Sequence, residues 1–155
     1  MFLYQIYPVI ILLHLLSAVI WLGFFPVEIY LINSIKKESN TDFKKNQIQK
    51  LLTLTNLTGM IGAIGIIITG IALVLISPLY NFFEFKANHW LTTKQFIILI
   101  ILLIIFAVII PLSKKIKNFS DTNSNEFKRF VRWAYIEKTL VLINFLLAFF
   151  HRYFF

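Results

Sequence analysis

The chain has 155 residues, of which 59% are hydrophobic and only 14% charged, whereas a soluble domain has roughly half and a quarter. This leaves room for one membrane domain, residues 1–155, and excludes a soluble module beside it. The absence of cysteine excludes disulfides, thiolate iron–sulfur ligation, c-type haem attachment and a cysteine nucleophile.

The net charge of +8 does not point to nucleic acid as a partner, because the Lys and Arg residues lie mostly in two loops beside apolar runs. Topology and anionic lipid account for them there.

The first apolar run, Met1 to Val27, is free of charge, and helix is predicted over about 3–33. It lacks a positive n-region and outlasts the short core of a cleavable signal, so it reads as a retained first helix. At 100° per residue, His14, Ser17, Ala18, Trp21, Phe25 and Glu28 share one stripe. His14 and Glu28 are fourteen residues apart, about 21 Å along the axis. An imidazole at the depth of His14 does not reach water easily. It reads either as an axial haem ligand, metal ligand or proton carrier, or as a histidine bonded to a neighbouring helix carbonyl or to Ser17.

The second span is predicted over 51–76, ended by Ser77-Pro78 because proline disfavours helix at the residue before it. Thr55, Thr58, Gly59, Gly62, Gly65 and Thr69 face one side. Small residues at these intervals admit either a neighbouring backbone or a flat cofactor. The third span, 90–112, opens at His89-Trp90-Leu91 and is expected to close near Pro111. His89 beside Trp90 reads as interfacial anchoring or as a metal ligand, and Lys94 as a snorkelling anchor or as a partner for an anionic group such as a haem propionate.

The fourth span, 130–153, must include Glu137 and Lys138 to reach about 20 residues. Both are expected near the inner interface, where Lys138 can snorkel; the alternative is three spans and a surface helix. Glu137, Val141, Asn144, Ala148 and His151 share a stripe. Packing it on the stripe of the first helix would put His14 level with His151, and Glu28 near Glu137. The two glutamates read as a proton relay, or as ion-pair partners of Arg132 or Lys138. His151 reads as a ligand or as an interfacial anchor.

Lys36, Lys37, Lys44, Lys45 and Lys50 crowd the first loop, and Lys114, Lys115, Lys117, Lys128, Arg129 and Arg132 the third, while the second holds only Glu84 and Lys86. The positive-inside rule makes loops one and three cytoplasmic. The expected fold is therefore all-α: an antiparallel up-down four-helix bundle with both termini on the outer side of a bacterial inner membrane. No phosphate loop, paired-carboxylate hydrolase pattern or serine elbow is present.

The segment His14-Leu-Leu-Ser-Ala-Val-Ile-Trp21-Leu-Gly23 resembles the first helix of two groups of small bacterial membrane proteins, the copper-resistance CopD-like family and the HemJ-type protoporphyrinogen oxidase family. Trp90-Leu91-Thr92-Thr93-Lys94 is similar to the opening of their third helix, and the Gly-Thr-Gly composition of 58–70 to their second. The resemblance implies a bundle that binds haem b through His14, with Lys94 matching as well and Ser17 and Trp21 beside the cofactor. Redox or porphyrin chemistry is then expected, with porphyrinogen oxidation the reaction if the protein is an enzyme. The second axial ligand would be His151 or His89. Two other readings stand beside it. One is a non-catalytic small subunit of a larger respiratory-type membrane complex, or a homo-oligomer, with structural histidines. The other is a proton or solute carrier using His14, Glu28 and Glu137.

Overall fold

The computed structural model describes residues 2–85, 89–118 and 124–154. Among them there are no strands, and four helical stretches are long and apolar enough to cross a membrane: Gln5–Lys37, Thr41–Ile76, His89–Lys117 and Asn125–Phe150. Lys86 and Asp121 lie outside the described residues.

Proline chemistry shapes three of the four. The first stretch is two helices, α1 (Phe2–Gly23) and α2 (Phe25–Lys37), joined at Phe24. Pro26 lies in the first turn of α2, where its missing N–H is harmless but its ring would crowd the carbonyl of Leu22 in an unbroken ladder. The second stretch, α3 (Thr41–Ile76), stops at Ile76 because Ser77 precedes Pro78 and adopts extended backbone.

The third stretch does not close at Pro111. Helix α4 (His89–Ile104) passes through a π-helical turn, Ile105–Ile109, into α5 (Ile110–Asn118). Pro111 offers no N–H to Ala107 and would clash with its carbonyl; the widened turn lets the helix pass this point. The fourth stretch belongs to α6 (Asn125–Phe154).

Helix α3 starts at Thr41, not at 51, because Asn40 caps it: its side chain accepts from the backbone N–H of Asp42 at 3.0 Å and of Phe43 at 3.1 Å. At 36 residues it is about 54 Å long, well beyond a hydrocarbon core of about 30 Å. The excess makes a second core. Ile32 and Ile35 of α2, Ile48, Leu51 and Leu52 of α3, Leu112 and Ile116 of α5, and Phe127 and Phe130 of α6 form one buried cluster. The ends of α2 and α5 thus meet the second and third turns of α3 and the start of α6, inside a rim of lysines and arginines. Nearer the middle, Trp21, Ala63, Ile101 and Val141 pack together, one residue from each stretch, and define a four-helix bundle.

The most extensive helix contact is between α1 and α3. A Cβ added at Gly62 would fall 2.6 Å from Trp21 Cβ, and one at Gly65 would overlap the Ser17 side chain. Gly62 and Gly65 are therefore filled by α1 side chains, as in close helix packing.

Candidate functional site

The polar residues of α1 and α2 find partners on α3 in regular order. As the chain advances from His14 through Ser17 and Trp21 to Glu28, its neighbours retreat from Thr69 and Gly70 through Gly65 and Gly62 to Thr55. Two polar contacts bracket the seam.

At one end His14, half-buried, lies with Nδ1 2.8 Å from Thr69 Oγ1. The Thr69 hydroxyl donates its single proton to the Gly65 carbonyl one turn back. While it keeps that bond it accepts from His14, which then carries its proton on Nδ1. The ring is also within hydrogen-bond reach of the Ile66 carbonyl. Metal-binding histidines are held in this way, with the second nitrogen fixed by an outer partner.

Lys94, in the second turn of α4, is within electrostatic reach of His14 and places its Nζ 5.9 Å from the Trp90 ring centroid. Trp90 also packs edge-on against Tyr80. His89 is exposed at the first residue of α4, where its carbonyl accepts from the Thr93 hydroxyl. Phe83, whose φ of 53° is unusual for a bulky residue, donates its N–H to Gln95 Oε1 at 2.8 Å, and Thr92 donates to the Glu84 carbonyl at 2.8 Å. These bonds fasten the connection after α3 onto the opening of α4. The side chain of His151 lies outside the described residues.

Ser17 and Trp21 are placed in the seam. Ser17 donates to the Leu13 carbonyl at 2.8 Å and fills the notch at Gly65; Trp21 is fully buried over Gly62. Both side chains lie close against α3 at these glycines.

At the other end lies the largest concentration of buried polar atoms. Glu28, Glu137 and Lys138 are each no more than 2% exposed. Lys138 Nζ donates to Glu137 Oε2 at 2.9 Å, and Thr55 Oγ1 donates to Glu28 Oε1 at 2.7 Å. The structure brings Glu28 and Glu137 within electrostatic reach of each other. The Trp21 indole N–H points toward the Glu137 carboxyl but stops short of a hydrogen bond. Glu28 Oε2, Glu137 Oε1 and Trp21 Nε1 are all buried and unpartnered.

Lys138 does not snorkel. It is among the most buried side chains, since the extended ends of α2, α3, α5 and α6 close over this level. The residues that sequence reasoning left in the background are Thr55 and Thr69. Their spacing of fourteen residues repeats that of His14 and Glu28, and that was the readable signal.

Among the described residues no three His, Asp or Glu side chains converge as a metal-holding group. No family model, curated protein or solved structure matches the chain.

Proposed function

We propose that this multi-pass membrane protein binds haem b and acts in one-electron redox chemistry, in the manner of the CopD-like and HemJ-type proteins it resembles. The observation that carries the reading is the hydrogen bond between His14 Nδ1 and Thr69 Oγ1, an outer partner that orients the imidazole. The donor chemistry fits: a neutral imidazole with an outer hydrogen-bond partner is the ligand haem iron takes from a helical bundle.

His14 would hold the iron, Lys94 would face a propionate, and His89 or His151 would supply a second ligand. Haem, when bound, supplies electron transfer or porphyrinogen oxidation. The chain's own part is to orient the imidazole through Thr69, to exclude water with the apolar helices, and to offer Lys94 as a countercharge. In this reading the bundle is antiparallel, with the basic loops in the cytoplasm of a bacterium and both termini outside.

The test is the absorption spectrum of detergent-purified protein reconstituted with haem. A Soret band that shifts on dithionite reduction is expected. It should be lost in His14→Ala with helical circular dichroism retained, and Thr69→Val should weaken haem affinity about 10- to 100-fold. No Soret band, or one indifferent to His14→Ala, overturns the proposal.

A second reading, a small subunit of a larger membrane complex or a homo-oligomer, draws on the exposed apolar face of α4 at Phe96, Leu99, Ile100 and Leu103. A colourless protein that copurifies with fixed partners would support it.

A further inference from the structure

The cluster at Glu28 and Glu137 stands about 21 Å along the helix axis from the level of His14, and nothing in the haem reading uses it. Its chemistry can be read from what is left unfilled. With all three groups ionised, Glu28, Glu137 and Lys138 sum to one negative charge, buried inside the bundle. The other charged groups near this end of the elements packed around it are Lys36 and Lys37 on α2, Asp42, Lys44, Lys45 and Lys50 on α3, Lys114, Lys115 and Lys117 on α5, and Glu126, Lys128, Arg129 and Arg132 on α6; none of them is buried. On α4 the only charge is Lys94, toward the opposite end. An uncompensated charge at such a site is expensive and is usually neutralised.

The unsatisfied atoms define the occupant further. Glu28 Oε2 and Glu137 Oε1 are two empty acceptors, and Trp21 Nε1–H is one donor without an acceptor. A water molecule matches that set, donating to both carboxyls and accepting from the indole. Space beside the indole nitrogen comes from Gly59, whose absent Cβ would lie 3.9 Å from Trp21 Nε1. A metal cation matches the set poorly, because the indole N–H presents positive charge to it.

We infer that Glu28 and Glu137 form a buried proton-binding site that holds one exchangeable proton between them across a water anchored by Trp21. Lys138 is the fixed countercharge, so the site is neutral with one proton bound and negative when the proton leaves. The inference stands apart from haem binding: it holds for a colourless protein as well as for a redox one. Its chemistry is proton uptake and release at the basic end of the bundle.

Infrared spectroscopy of the detergent-solubilised protein at neutral pH tests it. The wild type should show the carbonyl stretch of a protonated carboxylic acid, shifted in D2O. Glu28→Gln leaves the Glu137–Lys138 pair neutral and should abolish the band, and so should Glu137→Gln; thermal unfolding verifies that each variant is folded. Should Glu137→Gln fail to fold, wild type and Glu28→Gln decide the matter. Trp21→Phe should keep the band and move its frequency. Absence of the band in wild type, or its survival in folded Glu28→Gln, overturns the proposal. So does its disappearance when sodium replaces a bulky organic cation in the buffer, which would make the site one for a metal cation.

Discussion

The α1–α3 seam and the polar cluster at the basic end are both buried, yet they are built from opposite materials. Along the seam, glycines of α3 admit Ser17 and Trp21, and the helices approach until side chain meets backbone. In lipid the surroundings are as apolar as the helix, so close contact and not apolar burial holds such a pair together. At the basic end, the helices extend beyond the length a bilayer needs and bury Ile35, Leu51, Ile116, Phe127 and Phe130 as a water-soluble protein would. There the hydrophobic effect operates, at about 1.5–3 kcal/mol for each large side chain removed from water. Buried ions are tolerated beneath that core because Lys138 and Thr55 satisfy one oxygen of each carboxylate. The two regions therefore fail in different ways: the seam through added volume, the cluster through unbalanced charge.

The largest effect is expected from unbalancing the cluster. Lys138→Met keeps most of the side-chain volume but leaves Glu137 facing Glu28 without its ammonium partner. Removing one member of a buried pair typically costs about 3–5 kcal/mol. The midpoint of thermal unfolding in detergent should fall accordingly. The double variant Glu137→Gln/Lys138→Met should recover most of the loss, since it removes the charge along with its partner. Equal losses in the single and double variants would show that packing, not charge, governs this end.

The seam should respond to a single methyl group. Gly62→Ala places a Cβ where Trp21 already stands, at a distance no real contact tolerates, and Trp21 is held on all sides. Overpacking of this kind costs about 1–3 kcal/mol. Gly23→Ala is the control: the same added methyl meets nothing within 4 Å, and its unfolding midpoint should stay at or above the wild-type value. If both variants behave alike, helix propensity and not the close approach sets the seam's stability.

How much of this could be read from the residues follows the same division. The spans were legible because apolar runs record the bilayer, and Pro78 marks the end of α3 because the residue before proline avoids helix. The stripe holding His14, Trp21 and Glu28 also emerged from helical spacing alone, as did the glycine face it meets. What periodicity could not supply was depth. Lys138 was expected near an interface because lysine in a span usually snorkels. Its burial depends on α2, α3, α5 and α6 packing together at this end, and charged residues at 36–50 and 114–132 hide that continuation. Pro111 misled for a related reason: a proline signals a break, and only the register of the helix shows that a π turn can carry the chain past it. The destinations of the polar groups were half-visible. Equal spacing of His14 with Glu28 and of Thr69 with Thr55 fits two helices in register, but a hydroxyl also bonds its own helix, as Thr58 does with the Leu54 carbonyl.

The smallest effect belongs to the cap that starts α3. Asn40 accepts from two backbone N–H groups that have no helical partner, those of Asp42 and Phe43. Asn40→Ala removes both bonds at an exposed position, where water can replace part of what is lost, so about 1 kcal/mol is expected. The first turn of α3 does not reach the buried cluster, which begins on this helix at Ile48. The loss should therefore remain local. Amide hydrogen exchange at Asp42 and Phe43 should quicken about fivefold, the factor that 1 kcal/mol corresponds to, while the amides of Leu51 and Leu52 keep their protection. Asn40→Ser, which restores an acceptor at the cap, should return the exchange toward the wild-type rate. If protection at Leu51 and Leu52 falls together with that at Asp42, the basic end unfolds as one cooperative unit from cap to cluster.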